Sequence, residues 1–207
     1  MVGNDERREH WWKVYVSRAP EATSSYQREP TVSLALIAAI GLTHEAGIID
    51  MGGGASALVD HLLDLGCTDL AVLDVAKESL AAARQRLGER ANRVNWISAD
   101  VTAWRPHRRW ALWHDRAVFH FLVAAEDRHA HVTSLEAAQT PGDHFIVATF
   151  APEGPERCSD LPVVRYDEAR LGAELGTGFR FVESRRETHL MPRRTEQAFQ
   201  YQHYVRA

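Results

Sequence analysis

The chain has 207 residues, of which 45% are hydrophobic and 25% charged, and its formal net charge is −4. This composition is ordinary for a water-soluble globular protein of one domain, and it gives no global electrostatic reason to bind nucleic acid or an anionic membrane. Cys67 and Cys158 lie far apart without Cys-x-x-Cys spacing, which indicates neither a disulfide framework nor a metal site. The first residues are charged and no apolar run approaches a membrane span, so we expect a cytoplasmic protein.

The N-terminal region is predicted to be helical. Residues 6–16 carry apolar side chains at roughly helical spacing, and Ala19-Pro20 is expected to end that helix. Either Thr31 or Ser33 can cap a second helix, which stops at Gly41.

Strands and helices alternate from residue 48 onward. The pattern predicts strands at 48–51, 70–74, 94–98, 110–114 and 144–150, and helices at 55–65, 77–87, 116–124 and 127–138. This order favours an α/β fold, a Rossmann-like, doubly wound and mostly parallel sheet with helices on both faces.

The C-terminal part follows a different pattern. Residues 151–166 contain several Gly and Pro and are predicted to be mostly irregular, and 167–175 form a weak helix. Residues 179–190 and 198–205 either alternate between apolar and polar side chains or are rich in aromatic ones. Met191-Pro192-Arg193-Arg194 separates the two stretches. We therefore expect a long antiparallel hairpin at the end of the chain.

The first predicted strand ends in a carboxylate and runs into three glycines, Gly52-Gly53-Gly54, before the next helix. Strand, glycine turn and helix in this order present backbone N–H groups to a nucleotide-like ligand. Glycine leaves no Cβ where such a ligand must come close. An ordinary glycine-rich turn is the alternative, and Gly52-x-Gly54-x-x-Ala57 also satisfies the dinucleotide fingerprint. The turn alone therefore leaves the ligand class open.

Carboxylates follow the first three predicted strands at similar intervals: Asp50, Asp74 and Asp100. Because the carboxyl ends of adjacent parallel strands line one crevice, the three are expected to converge on one ligand. Asp74 lies at the interval where a carboxylate accepts hydrogen bonds from ribose hydroxyls. Asp100, with Val101, would lie beside the base, and Asp50 would face a positively charged ligand tail. Each alone can be a helix cap, but together behind the glycine turn they favour a nucleoside ligand.

This arrangement resembles the class I S-adenosylmethionine-dependent methyltransferases, through the pattern Asp50-x-Gly52-x-Gly54, then Asp74, then Asp100-Val101. The resemblance covers roughly residues 12–204. The stretch Trp113–Leu122 (WHDRAVFHFL) is similar to small bacterial methyltransferases of the trans-aconitate-methyltransferase-like group, and distantly to seven-strand protein-lysine methyltransferases. The resemblance implies a seven-strand sheet whose last strand is antiparallel.

The resemblance also implies the cofactor site. Gly52 and Gly54 would meet the methionine moiety of S-adenosylmethionine, Asp74 its ribose and Asp100 its adenine. We expect the same site to include Tyr26, Asp50, Gly53, Val75, Val101 and His114. Ser56 stands where many members have a third glycine, but it is small and can cap the helix. We expect one domain, with a helical cap or lid at 1–42, a cofactor-binding core at 43–150, and a substrate-side segment with the hairpin at 151–207.

A nicotinamide-dependent dehydrogenase is the nearest competitor, because it also needs a glycine turn and a ribose carboxylate. Lys13 and Lys77 are the only lysines, so the chain has no Tyr-x-x-x-Lys pair of the short-chain type. We also expect no second domain to carry substrate. Methyl transfer is therefore favoured.

The residues of the acceptor site are predicted after the fourth strand. Methyl transfer is an in-line displacement, so the protein mainly aligns donor and acceptor, and a base helps when the acceptor carries a proton. The expected catalytic residues are His114 as a base or positioning group oriented by Asp115, Arg116 paired with a substrate carboxylate, and His120 one helical turn beyond Arg116. Alternatively, Arg116 neutralises a strand-end carboxylate and His120 is a core residue.

Tyr26 and Gln27, in the loop before the second helix, are candidates for a lid over cofactor and substrate. Trp11, Trp12 and Tyr15 can supply its apolar wall or simply pack against the core. We expect a methyltransferase for a small molecule, as a monomer or homodimer, with no metal and no nucleic-acid or membrane partner. A protein-lysine methyltransferase and a non-catalytic S-adenosylmethionine-binding module remain open alternatives.

Overall fold

A computed structural model describes residues 4–17, 22–191 and 195–207. The helix end expected at Ala19-Pro20 and most of the segment expected to separate the last two strands, 192–194, lie outside the described residues.

The described residues form a seven-stranded mixed sheet with the strand order β3-β2-β1-β4-β5-β9-β8. Strand β9 runs antiparallel to both of its neighbours, and the other neighbouring strands of the sheet pair in parallel. A separate small ribbon pairs β6 with β7. The strands are β1 (Ile48–Met51), β2 (Leu70–Asp74), β3 (Val94–Ser98), β4 (Leu112–Arg116), β5 (His144–Phe150), β6 (Arg157–Cys158), β7 (Leu161–Pro162), β8 (Phe179–Leu190) and β9 (Glu196–Arg206). The expected sheet with an antiparallel last strand is confirmed, and so is the terminal hairpin.

Helices cover both faces of this sheet, as the alternating pattern predicts. Apolar side chains of α2, α3 and α4 form one buried cluster with one face of the strands, and those of α5 and α6 form a second cluster with the other face. The helices are α1 (Asn4–Ser17), α2 (Thr31–Ile40), α3 (Leu58–Asp64), α4 (Lys77–Leu87), α5 (Ala125–Ala137) and α6 (Glu168–Leu175). Among the described residues, none of these helices has the length and apolar character that crossing a membrane requires.

The segment after β4 differs from the prediction. Residues 116–124 do not form the expected helix, because Ala117 has a left-handed backbone (φ 64°) and only the short 3-10 turn Phe119–Phe121 follows. The Asp115 carboxylate accepts the backbone N–H groups of Val118 and Phe119, both at 3.1 Å. This local cap holds a turn where the apolar spacing suggested a helix.

Candidate functional site

The glycine turn after β1 leaves no room for a side chain. Gly52 has φ 66°, and a Cβ there would lie 2.2 Å from Val118 Cγ2. A Cβ on Gly53 would lie 2.3 Å from Asp50 Oδ2, and one on Gly54 would lie 2.0 Å from Ser79 Oγ. At each of the three positions the clash is with a side chain of the protein itself, so the turn is packed tightly at the carboxyl end of the sheet.

Asp74, the last residue of β2, is buried beside this turn. Its Oδ2 accepts the backbone N–H of Gly54 at 3.1 Å, and its Oδ1 accepts that of Ala76 at 2.9 Å. Burial raises the pKa of the carboxyl to about 6, although these backbone donors act in the opposite direction. The Ser79 hydroxyl also lowers this pKa, and the carboxyl lines the first cleft, where a ligand hydroxyl can meet it.

Asp100 lies after β3 and is engaged by protein donors on both oxygens. Its Oδ1 accepts the backbone N–H and the hydroxyl of Thr102 at 2.8 and 2.7 Å. Its Oδ2 accepts Arg7 Nε at 3.0 Å, and the same guanidinium binds Asp127 at 2.6 Å. Arg7 was not predicted from the sequence as a site residue. It ties α1 to Asp100, at the position where this carboxylate was expected to contact the adenine.

Asp50 and His114 form a buried pair. The parallel register of β1 and β4 sets them directly opposite each other, and His114 Nδ1 lies 2.7 Å from Asp50 Oδ1. His114 Nε2 lies 2.9 Å from the Ser33 hydroxyl, in the first turn of α2. Both ring nitrogens are thus occupied by protein partners, which favours a positioning role for His114 over that of a substrate base. Thr31 and Ser33 were the alternative caps expected from the sequence, and α2 has no side-chain cap.

Asp115 does not orient His114, which corrects a second expectation. Successive residues of a strand point to opposite faces of the sheet, so Asp115 points away from the His114 ring. Its Oδ2 lies 3.0 Å from His131 Nε2 of α5. This buried pair supports the turn after β4 from the far face.

Arg116 shares the face of His114 and is held by neighbours from distant parts of the chain. Its Nε donates to the Tyr201 hydroxyl at 2.7 Å, and its Nη1 donates to the Ser25 carbonyl at 2.6 Å. Its Nη2 lies 3.6 Å from Glu187 Oε2 and has no hydrogen-bond partner among the described residues. The carboxylate it neutralises is thus on β8, and the alternative that it pairs with a strand-end carboxylate is wrong.

His120 lies in the core and does not face the same space as Arg116. With no helix after β4, the four-residue spacing that was expected to bring the two together does not apply. His120 Nδ1 accepts the backbone N–H of Phe150 at 3.3 Å, and its ring contacts Phe121, Phe150 and Phe199. Burial lowers its pKa to about 3, so the ring is neutral, and its assignment to catalysis is corrected to packing.

Two adjoining clefts lie along the carboxyl ends of the strands. The first encloses about 760 Å³ of empty space, a figure that includes space open to solvent. Its lining includes the candidates Asp74, Val75, Asp100 and Val101, together with Trp11 of α1 and Phe121. The second is lined by Tyr26, Asp50, Gly53, His114 and Ser33, among others. Both clefts share four lining residues: Tyr15, Ser25, Gly52 and Arg116.

The loop that carries Tyr26 is tied to the terminal hairpin. The Ser24 carbonyl accepts His189 Nε2 at 2.9 Å, and Gln27 Nε2 donates to Glu187 Oε1 at 2.7 Å. Tyr26 lines the second cleft, where the lid was expected, but the loop is anchored by these contacts and by Arg116. No motif in the sequence marks Glu187, Tyr201 or His189 as site residues. They lie in the alternating pattern of polar and apolar side chains that is ordinary for an amphipathic hairpin.

Comparisons with known proteins agree on the fold. No family model matches the sequence, and no curated protein matches it. A methyltransferase from Anabaena variabilis described as S-adenosylmethionine-dependent has a TM-score of 0.75 at 14% identity, over 99% of this chain and 95% of its own. The 1,6-didemethyltoxoflavin-N1-methyltransferase of Burkholderia thailandensis has a TM-score of 0.71 at 19% identity, over 100% and 92%.

A third structure comes from work on the conversion of a disulfide bond into a thioacetal group during echinomycin biosynthesis. It has a TM-score of 0.76 at 16% identity, over 97% of this chain and 92% of its own. At such low identity these similarities establish the fold alone. The chain has the class I methyltransferase fold, with its two clefts at the strand ends where open α/β sheets bind ligands.

Proposed function

We propose that this protein is an S-adenosylmethionine-dependent methyltransferase that acts on a small molecule. The observation that carries the proposal is the convergence of the glycine turn, Asp74 and Asp50 at the carboxyl ends of adjacent strands. The residues fit such a cofactor, because Asp74 and Asp50 line the clefts and Asp50 Oδ2 is buried without a hydrogen-bond partner among the described residues.

The cofactor would lie along both clefts. Asp74, with Val75, would bind the ribose, since both residues line the first cleft and a carboxylate accepts hydrogen bonds from hydroxyls. Asp100 and Val101 would flank the adenine. The amino-acid tail would lie in the second cleft, against Asp50, Gly52, Gly53, His114 and Tyr26. Gly54 is not among the residues that line either cleft, and its N–H donates to Asp74 Oδ2.

When bound, S-adenosylmethionine supplies a methyl group activated by positive sulfur, ready for in-line displacement. The residues of the chain then need to align the acceptor, and alignment of this kind is worth about 7–11 kcal/mol. Arg116 lines both clefts, and an anionic acceptor group would pair with its guanidinium. Among the described residues that line the clefts, His114 is the one histidine and is held on both nitrogens. This favours acceptors whose attacking atom has a free lone pair at neutral pH.

Structural neighbours support a small acceptor. The Burkholderia thailandensis enzyme is named for N1-methylation of 1,6-didemethyltoxoflavin and was crystallised with that compound and S-adenosylhomocysteine. The methyltransferase MtfA is named for N-methylation of a glycopeptide and was crystallised with S-adenosylmethionine. Its sequence is 16% identical to this chain. The stretch Trp113–Leu122 further supports membership of the trans-aconitate-methyltransferase-like group.

The proposal is tested first by binding and then by turnover. Titration calorimetry should give saturable heat with S-adenosylhomocysteine and none with a nicotinamide nucleotide. The reverse result would overturn the proposal and favour a dehydrogenase.

A screen of small acceptors, read by release of S-adenosylhomocysteine, then defines the substrate. Labelling of proteins in a lysate, with no small acceptor active, would favour the protein-lysine alternative. Tight cofactor binding with no turnover against any acceptor would favour a non-catalytic binding module.

A further inference from the structure

Arg7 of α1 joins two carboxylates that belong to different parts of the fold. Its Nε donates to Asp100 Oδ2 at 3.0 Å, after β3, and its Nη1 donates to Asp127 Oδ2 at 2.6 Å, in the first turn of α5. The side chains of Arg7, Asp100 and Asp127 are 13, 5 and 15% exposed. Salt screens such shielded ion pairs little, and removal of one partner leaves the other charge without compensation. We call these two contacts the Arg7 bridge.

The Arg7 bridge crosses the first cleft. Arg7 lies on the wall that α1 forms, together with Trp11 and Tyr15, whereas Asp100 lies on the wall that the strand ends form. Asp127 is not among the described residues that line either cleft. The guanidinium thus has one partner inside the first cleft and one outside it. A ligand between α1 and the strand ends is enclosed on this side while the bridge is formed.

Helix α1 packs less deeply than the helix that follows it. None of its described side chains at 6–17 is fully buried, and Trp12 and Val16 are 44 and 58% exposed. Helix α2, by comparison, fully buries Leu36. Elements with few buried apolar contacts open at a low cost in free energy. The Arg7 bridge is therefore expected to provide a large part of the attachment of α1 to the rest of the protein.

The loop before α2, which also lines the clefts, is fixed in a different way. Its Ser25 carbonyl accepts Arg116 Nη1 at the end of β4, and its Gln27 Nε2 donates to Glu187 Oε1 of β8. These partners lie within the seven-stranded sheet, so the loop is attached to the rigid framework of the fold. Of the two segments, α1 is thus the one that the loss of a single side chain can release.

We propose that the Arg7 bridge is a latch that controls how fast a ligand enters and leaves the first cleft. The inference rests on the proposed function, since the ligand would be S-adenosylmethionine or its demethylated product. With the latch closed, α1 covers the adenosine part of the ligand. With the latch open, Arg7 releases Asp100, α1 moves away from the strand ends, and the ligand exchanges with solvent.

A latch differs from a ligand contact in its effect on binding kinetics. Loss of a ligand contact mainly raises the dissociation rate constant and weakens the affinity accordingly. A latch joins two protein groups, so its loss lowers the barrier to entry and to exit alike. Both rate constants then rise together, and the dissociation constant, which is their ratio, changes little.

The test is stopped-flow kinetics of S-adenosylhomocysteine binding to the full chain, read by tryptophan fluorescence, since Trp11 lines the first cleft. We expect Arg7→Gln to raise the association and dissociation rate constants together, each by about tenfold, the size of one hydrogen bond between charged groups. Asp127→Asn should act in the same direction, although Asp127 does not line the cleft. The double variant should be no faster than Arg7→Gln alone, because both changes break one bridge.

Each variant has a matched control one residue away. Arg8→Gln removes the same charge from an exposed side chain of α1, and Glu126→Gln removes a carboxylate from an exposed position in the first turn of α5. Both controls should leave the two rate constants unchanged. If Arg7→Gln fails to fold, Asp127→Asn and its control carry the test.

Hydrogen exchange of the α1 amides, followed by mass spectrometry without added ligand, gives a second measurement that does not depend on the cofactor. Exchange should be faster in Arg7→Gln and in Asp127→Asn than in either control, because the helix opens more often.

The outcomes separate this inference from the proposed function. If the variants raise only the dissociation rate constant, Arg7 is a ligand contact and the latch is wrong, while the proposed function stands. If the variants match their controls in rates and in exchange, the bridge does not hold α1 and the inference is wrong as well. If the unaltered protein does not bind S-adenosylhomocysteine, the proposed function fails, and so does the latch as a gate for this ligand. Faster exchange of α1 in the variants would then still show that the bridge holds the helix.

Discussion

Asp74 is a buried carboxyl whose protonation links ligand binding to pH. Burial raises its pKa to about 6 from the ordinary 3.8. A raised carboxyl pKa means that the folded protein keeps a proton which the unfolded chain releases, so the free energy of unfolding without ligand falls as pH rises from about 4 to 6. A ribose hydroxyl donates more strongly to the ionised Asp74 carboxylate than to the neutral carboxyl. Ligand binding therefore strengthens as pH rises, whereas the stability without ligand falls.

We therefore expect the affinity for S-adenosylhomocysteine to rise up to about tenfold per pH unit below about pH 6 and to level off above it. Calorimetry between pH 5 and 8 measures this. Asp74→Asn cannot ionise, so its weaker binding should lack this step. An equally steep profile in Asp74→Asn would assign the titration to another group.

At the scale of elements, the turn between β1 and α3 constrains the site most tightly. A Cβ at Gly54 would lie 2.0 Å from Ser79 Oγ and 2.7 Å from Asp74 Oδ2. Since Asp74 is the expected ribose ligand, any shift that relieves the clash also moves that carboxylate. Helix α1 forms one wall of the first cleft. Its Arg7 binds Asp100, and the rings of Trp11 and Phe121 lie with their centroids 5.1 Å apart.

Gly54→Ala should reduce S-adenosylhomocysteine affinity by more than tenfold, because the clash is with buried side chains that have little space to move. Calorimetry and thermal unfolding measure the two consequences. Gly172→Ala is the matched control, since Gly172 lies within α6 and its Cβ would meet nothing within 4 Å. That control should leave affinity unchanged and stabilise the protein by roughly 0.5–1 kcal/mol.

At the scale of the whole molecule, the proposed cofactor would contact β1, β2, β3, α1 and the loop before α2 together. These elements are far apart in sequence, and their mutual contacts include polar ones such as that of Arg7 with Asp100. A ligand that binds across them stabilises the folded state without binding the unfolded chain.

S-adenosylhomocysteine at 100 times its dissociation constant should stabilise the fold by about 2.7 kcal/mol. For a chain of this length this is a rise in Tm of roughly 5–10 °C. Differential scanning fluorimetry measures it, with a nicotinamide nucleotide as the negative control. A larger shift with the nicotinamide nucleotide would contradict the cofactor assignment.

The sequence by itself determined the features that depend on short-range pattern. The period of apolar residues located β1 to β5 and the terminal hairpin. The place of Asp50, Gly52 and Asp74 was predictable because each lies within a residue or two of a strand end, where local spacing fixes position. The helix predicted after β4 was wrong because a single side chain, Asp115, caps a turn there without any Gly or Pro to indicate it.

Only the tertiary structure decided which groups meet across elements. Ser33 reaches His114, and Arg7 reaches Asp100, over separations of 81 and 93 residues. Arg116 is held by Tyr201 over 85 residues. Such contacts depend on strand order and on how helices pack, which residue spacing along the chain does not encode. For the same reason, the sequence placed His120 beside Arg116 in the site, whereas packing buried it among phenylalanines.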